Sequence, residues 1–122
     1  MSLRERQSKF WHMFALLKLH ADDIGQPFVV IEWKRTWDQQ KINVARGLSQ
    51  TMNSKHLDGL AVDICFLDDL SDDGKLNYPA DKYKDLGEYW EPIGGRWGGR
   101  FGDNPNTSKI EGWDLGHFEL NE

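Results

Sequence analysis

Leu60-Ala61-Val62-Asp63-Ile64-Cys65-Phe66 is the stretch that decides the fold. Leu60, Val62, Ile64 and Phe66 recur at every second position, the period of a β-strand that turns one face to a core. Asp63 then lies on the other face, where a carboxylate buried without a partner would be costly. Working outward, Phe118 and Leu120 alternate with His117 and Glu119 in a short final strand. Phe28-Val29-Val30-Ile31, a β-branched run after Gly25 and Pro27, reads as a buried strand. Phe10, Met13, Phe14 and Leu17, with Leu3 before them, share one helical face and predict an amphipathic helix within residues 1–25. Thr36 and Gln39 carry the Thr-x-x-Gln signature of a helix start, and that helix should run through Ile42 and Ala45 to stop near Gly47. Pro79 opens a further helix with Ala80, Tyr83, Leu86 and Trp90 on one side. The glycine-rich residues 94–102 read as a loop or bulged hairpin. Asp68 to Gly74 reads as an acidic turn rather than a calcium loop, because a loop starting at Asp69 would have Ala80 instead of Glu at position twelve. The expectation is a single α+β domain over residues 1–122, with helices packed on a small, largely antiparallel sheet.

Composition narrows the function classes. At 122 residues with 39% hydrophobic and 29% charged side chains, the chain can build one core and has no membrane span. Its net charge of −5 argues against sequence-independent nucleic-acid binding, which depends on Lys and Arg neutralising phosphates. The apolar run 10–17 is broken by His12, followed by Lys18 and His20, and lacks a small-x-small cleavage pattern, so no export signal is visible. A single Cys65 excludes an intramolecular disulfide and a thiolate cluster, so any metal must be held by His and carboxylates.

Such a ligand set is present. His56 lies seven residues before Asp63, and His117 lies three after Asp114. Two imidazoles and one carboxylate are the protein ligands of a catalytic zinc that keeps an open position, and the reacting water would need a base such as Asp114. Spacing alone equally allows hydrogen-bonded turn or core histidines. His12 and His20, eight residues apart on the first helix, read as surface or packing residues. Glu119 shares a strand face with His117 and reads as an acceptor that orients an imidazole N–H, or as a competing base. Trp97 and Trp113 suit either a substrate groove or the core, and Cys65 reads as a small buried hydrophobe. Non-haem iron oxygenases also use two His and one carboxylate, but with the carboxylate two residues after the first His and a larger barrel.

Two motifs select among these readings. Ser54-Lys55-His56-Leu57-Asp58-Gly59-Leu60-Ala61-Val62-Asp63 resembles the Ser-x-His-x-x-Gly-x-Ala-x-Asp motif of the zinc D-Ala-D-Ala carboxypeptidase and L-alanyl-D-glutamate endopeptidase family. Asp114-Leu115-Gly116-His117-Phe118-Glu119 resembles that family's closing acid-x-x-His-Phe-Glu motif. Arg35-Thr36 with Gln40, and Arg96-Trp97-Gly98-Gly99, extend the resemblance over residues 28–120. It implies one zinc ion on His56, Asp63 and His117, with Asp114 as general base and then general acid. It further implies that Arg35 polarises the scissile carbonyl or stabilises the oxyanion and that Ser54 contacts the peptide; Gln40 and Trp97 are further candidate substrate contacts, and the strand position of Glu119 favours its supporting a ligand histidine. Much of the family has Glu where Asp114 stands, and Asp is similar to the phage endolysin branch, which cleaves between L-alanine and D-glutamate in peptidoglycan stem peptides. The expected protein is therefore a monomeric, endolysin-like zinc peptidase. It would be made in the bacterial cytoplasm and would reach the wall with the help of a separate holin-type permeabilising protein. D-Ala-D-Ala carboxypeptidase activity and a non-catalytic, zinc-containing wall-binding module are the alternatives.

Overall fold

A computed structural model describes residues 1–47, 54–69, 76–101 and 114–122. Helix Leu3–Asp23 (α1) leads to strand Phe28–Glu32 (β1) and helix Trp37–Ala45 (α2). A 3-10 turn at Lys55–Asp58 enters strand Ala61–Phe66 (β2), followed by helix Ala80–Trp90 (α3) and strand Gly95–Trp97 (β3). A second 3-10 turn at Gly98–Arg100 follows directly, and strand His117–Leu120 (β4) closes the sheet. The four strands lie in the order β1-β2-β4-β3, every neighbouring pair antiparallel. The architecture is α+β, as the alternating pattern implies.

The local rules explain the helix ends. Ser2 caps α1 by accepting the Glu5 N–H, while the Glu5 carboxylate reaches back to the Ser2 N–H, a complete capping box. Thr36 caps α2 through the Gln39 N–H at 3.1 Å, but the Gln39 side chain donates to Asn43 rather than reaching back. Gly47, at φ 73°, ends that helix in the left-handed region that favours glycine. One face of the sheet carries Val62, Ile64, Phe66, Trp97, Phe118 and Leu120. Against it pack Phe10, Met13, Phe14 and Leu17 of α1 with Tyr83, Leu86 and Trp90 of α3. Trp90 ties this layer to β4 by donating its indole N–H to the Glu119 carbonyl at 2.9 Å. The opposite face of β2 and β4 is left to Asp63, Cys65, His117 and Glu119.

Three expectations are corrected. β1 is an edge strand instead of a buried one: Phe28 is buried, whereas Val29, Val30 and Ile31 remain 44%, 44% and 49% exposed. Its β-branched composition reports strand propensity, which an edge strand satisfies as well as a central one. The glycine-rich stretch begins as β3, because Gly95 and Gly99 allow the Trp90 and Trp97 rings to lie directly on the backbone. Leu3 and Ala80 are exposed, each at the solvent end of a first helical turn. His20 pairs with Asp85 at 3.1 Å and stacks on Tyr89, joining α1 to α3. Of the acidic turn 68–74, residues 70–74 lie outside the described residues.

The last residue links the helical layer to the turn that carries His56. Glu122 accepts from Arg6 of α1, with Nε at 2.7 Å, and from Lys55 Nζ at 2.8 Å. The hydrogen bond from Arg6, then partial desolvation in the opposite sense and the Lys55 contact, bring the Glu122 carboxyl from its ordinary 4.5 down to about 2. A depressed carboxyl stabilises the fold fully above its unfolded pKa and loses that contribution as pH falls through its folded one. Glu122→Gln should therefore have a modestly lower thermal midpoint than the parent at pH 6, a gap that narrows between pH about 4.5 and about 2. Scanning calorimetry at both ends of that window checks it, and an equal deficit at pH 6 and pH 2 would contradict the linkage.

Candidate metal centre

His56 is delivered by a short, heavily specified turn. The Ser54 hydroxyl accepts the His56 N–H at 3.2 Å, and Gly59, at φ 68°, takes the left-handed position that turns the chain into β2. The ring is 2% exposed. Its Nδ1 lies 2.6 Å from the Trp33 carbonyl, which can only accept, so Nδ1 carries the proton and Nε2 is the free electron pair. Trp33 is itself fixed by its indole N–H donating to the Gly59 carbonyl at 3.1 Å.

Sheet register supplies the other two groups. Asp63 and His117 are direct cross-strand partners on β2 and β4, so their side chains leave the same face of the sheet side by side. His117 Nδ1 is 2.9 Å from Asp63 Oδ1, and His56 Nε2 is 3.3 Å from Asp63 Oδ2. The other His117 nitrogen, Nε2, is 2.8 Å from Glu119 Oε1. His56, Asp63 and His117 each offer one ligand atom, and the three atoms lie within 4.8 Å of one another. Each imidazole thus has one nitrogen committed to an outer acceptor and one facing the shared centre. That is the arrangement of histidines ligating a metal.

The charge state fits a cation in this set. Burial alone would raise the Asp63 pKa, but the hydrogen bonds from His117 and His56 overcome it and hold the carboxyl well below the usual carboxylate range. Burial would likewise discharge His117, yet Asp63 and Glu119 reverse this and push it up to about 9. The pocket favours positive charge between two imidazoles and a carboxylate. Two nitrogens and an oxygen suit zinc, which takes three protein ligands and keeps a fourth position open at catalytic sites.

Asp114 stands beside this set, its Oδ2 3.7 Å from His117 Nδ1. Its carboxyl is pushed above the ordinary carboxylate value, first by burial and then by the Asp63 charge, with His117 opposing. Arg35 is held in a rigid fork: Nε and Nη2 donate to the two Glu32 oxygens at 2.6 and 2.7 Å, and Nη1 donates to Gln40 Oε1 at 2.6 Å. These bonds, chiefly those to Glu32, raise its pKa, and the Asp63 and Asp114 charges act on the same guanidinium.

Two expected substrate contacts are corrected. Gln40 is fully buried and orients Arg35 instead of facing a cleft. Trp97 is fully buried as well, its indole N–H donating to the Leu115 carbonyl at 2.7 Å, so it supports the 114–117 segment from beneath. Ser54 is half-buried and caps the His56 turn. Glu119 Oε1 lies against His117 Nε2 at 2.8 Å, and Trp113 lies outside the described residues. The sequence carried no signal for the Trp33 carbonyl, since any residue supplies one. Phe101, whose ring tilts on His117 at 5.4 Å with Arg96 stacked over it, was equally hidden in the glycine-rich stretch.

Comparison with known proteins points the same way. The sequence profile of a peptidase M15 family described as D-alanyl-D-alanine carboxypeptidase matches residues 48–120. The L-alanyl-D-glutamate peptidase of Listeria phage A118 is 38% identical over 89 residues, which cover 70% of this chain and 31% of that protein. The chain thus spans about a third of the length of that curated relative. Among solved structures, the L-Ala D-Glu endopeptidase ChiX of Serratia marcescens aligns with a TM-score of 0.55 at 27% identity, covering 79% of this chain and 68% of ChiX. A Zn(II)-bound variant of the vancomycin-resistance D,D-pentapeptidase VanY aligns with a TM-score of 0.58 at 18% identity, covering 93% of this chain and 71% of VanY, a likeness of fold.

Proposed function

Because this chain belongs to the D-alanyl-D-alanine carboxypeptidase family of M15 peptidases, we propose that it is a zinc-dependent, endolysin-like peptidoglycan peptidase that hydrolyses the L-Ala-D-Glu bond of stem peptides. The observation that carries the reading is the convergence of His56, Asp63 and His117 beside Asp114, a metal-binding set with a carboxylate next to it. His56 Nε2, Asp63 and His117 Nδ1 would hold the ion. When bound, zinc supplies Lewis acidity and a water that ionises near neutral pH.

The chain's own groups do the rest. Asp114 Oδ2 takes a proton from the attacking water and returns it to the leaving amine, so one carboxylate acts as base and then as acid. Glu119 and the Trp33 carbonyl keep the two imidazoles in fixed tautomers. Arg35, preorganised by Glu32 and Gln40, offers fixed positive charge to an oxyanion without having to reorganise. The choice of bond is supported by the two relatives named for L-Ala-D-Glu cleavage, and the family description favours D-Ala-D-Ala carboxypeptidase activity as the second reading. Among the described residues no helix is long and apolar enough to cross a membrane. Release through a holin-type partner from the bacterial cytoplasm, action as a monomer and confinement of the activity to one domain belong to the proposal.

Digestion of purified peptidoglycan by the zinc-loaded protein, followed by mass spectrometry, tests the reading. New amino-terminal glutamate is the expected product. Loss of terminal alanine would select the carboxypeptidase, and intact polymer with one zinc bound would select a non-catalytic module. Stripping the metal with a chelator should abolish hydrolysis, and adding zinc back should restore it.

A further inference from the structure

We propose that Tyr78 is a substrate-binding residue of the metal site, its phenolic O–H donating to a carbonyl of the bound peptide. The inference rests on the metallopeptidase reading and adds a contact to it.

The backbone is the first observation. Tyr78 has φ 48° and is the one non-glycine residue in the left-handed region among the described residues. For a bulky side chain that conformation is a strained outlier, and such strain persists only where the surroundings enforce it. The enforcing group is Asp69, a carboxylate only 3% exposed. Its two oxygens accept the Tyr78 N–H at 3.0 and 3.1 Å, the Asn77 N–H at 3.1 Å and the Tyr83 O–H at 2.9 Å. A buried acid is therefore spent on fixing one turn, and Tyr83 anchors it to the core through its ring contact with Phe66.

The second observation is where this turn places the ring. Tyr78 Cε1 lies 3.2 Å from the point where a Cβ would stand on Gly116, the residue between Leu115 and the ligand His117. Gly116 has no side chain to keep the ring away, so the aromatic edge reaches the loop that carries Asp114 and His117. The hydroxyl is attached to the carbon next to Cε1 and so extends from that same edge. It is close enough for the Asp63 and Asp114 charges to act on it. Burial first, and then the charges of Cys65, Asp63 and Asp114, raise the phenol's pKa and keep its proton in place.

The third observation is that this donor is uncommitted. The residue is half-buried, and among the described residues its hydroxyl has no hydrogen-bond partner. In the same turn every polar atom of Asp69 is used. A phenol held at the metal loop by a strained backbone, with its O–H unspent, suits a peptide carbonyl that arrives with substrate.

The test compares the zinc-loaded parent with Tyr78→Phe and Tyr78→Gly on an N-acetyl-L-alanyl-D-glutamyl peptide amide. In parallel, calorimetry measures binding of that peptide to Asp114→Asn proteins with and without Tyr78→Phe. Tyr78→Phe keeps the ring, and Tyr78→Gly is at ease at this φ, so both should fold and retain one zinc. The expected result is a fall in kcat/KM of about tenfold or more for Phe and at least as much for Gly, with peptide binding weakened about tenfold by Phe. A Tyr78→Phe protein that matches its parent in both rate and binding overturns the contact and leaves the metallopeptidase reading standing. A parent that binds zinc but hydrolyses nothing overturns that reading instead. The calorimetric comparison then decides the contact alone: weaker binding by the Phe protein supports it, and equal binding overturns it.

Discussion

Asp114→Asn is expected to keep its zinc and lose hydrolysis by about 10²- to 10⁴-fold in kcat, the usual worth of a positioned general base. The substitution preserves shape and removes the proton acceptor. Asp114 is suited to the part because it lies 3.7 Å from His117 Nδ1 yet has a side chain still 37% exposed, so water and substrate can reach it. Glu119, the other carboxylate on this face, cannot take over. It is 6% exposed, one oxygen is bonded to His117 Nε2, and the other faces Arg96 at 3.7 Å. The two acids should therefore fail differently. Glu119→Gln should weaken zinc binding by about 10- to 100-fold through loss of ligand orientation, with much of the turnover recovered at saturating zinc. Asp114→Asn should bind one zinc and remain inactive at any zinc concentration. Zinc stoichiometry by mass spectrometry beside initial rates separates the two, and an active Asp114→Asn protein at full occupancy would remove Asp114 from the mechanism.

That division of labour explains which parts of the site could be read from the chain. The proposed ligands were legible because Asp63 and His117 occupy the face opposite the apolar alternation of β2 and β4, and the two motifs single them out. Their convergence follows from register, which pairs Asp63 with His117 directly. The groups that hold them were harder to foresee. A backbone carbonyl from Trp33 leaves no compositional trace, and Asp69 looks like one more member of an acidic turn until its burial beneath Tyr78 is seen. Gln40 and Trp97 were placed at the substrate because their motifs border the ligands, but neighbourhood in sequence does not determine which way a side chain faces. Both turn inward, one to Arg35 and the other to the core under Leu115. The β-branched run of β1 misled for a related reason. Strand propensity is local, whereas its place at the sheet edge is decided by which strands pair.

Gly98→Ala should be the most damaging single methyl addition to the site, lowering kcat/KM by about 10²-fold or more. A Cβ on Gly98 would stand 2.0 Å from the Asp114 carbonyl oxygen and 2.9 Å from both Asp114 Cβ and His117 Cβ. Two of those three atoms belong to side chains only by their first carbon, so none can swing aside and the backbone of 114–117 must move. It carries the base and a ligand together, and the hydrogen bond from the Asp114 N–H to the Gly98 carbonyl at 3.4 Å would be disturbed with it. Overpacking of this kind costs about 1–3 kcal/mol in stability, and displacement of the reacting groups by about 1 Å costs about 10²-fold in rate even in the fraction that stays folded. Gly87→Ala supplies the contrast. Its Cβ would meet the Trp97 ring at 2.2 Å, a core clash outside the metal set, so it should lower the thermal midpoint at least as far. Assayed well below both midpoints with zinc saturating, Gly87→Ala should retain far more activity than Gly98→Ala. Equal losses would mean that strain in the core spreads to the metal loop through Trp97, and near-parental activity in Gly98→Ala would mean that Asp114 and His117 do not depend on the close approach of the 3-10 turn beside them.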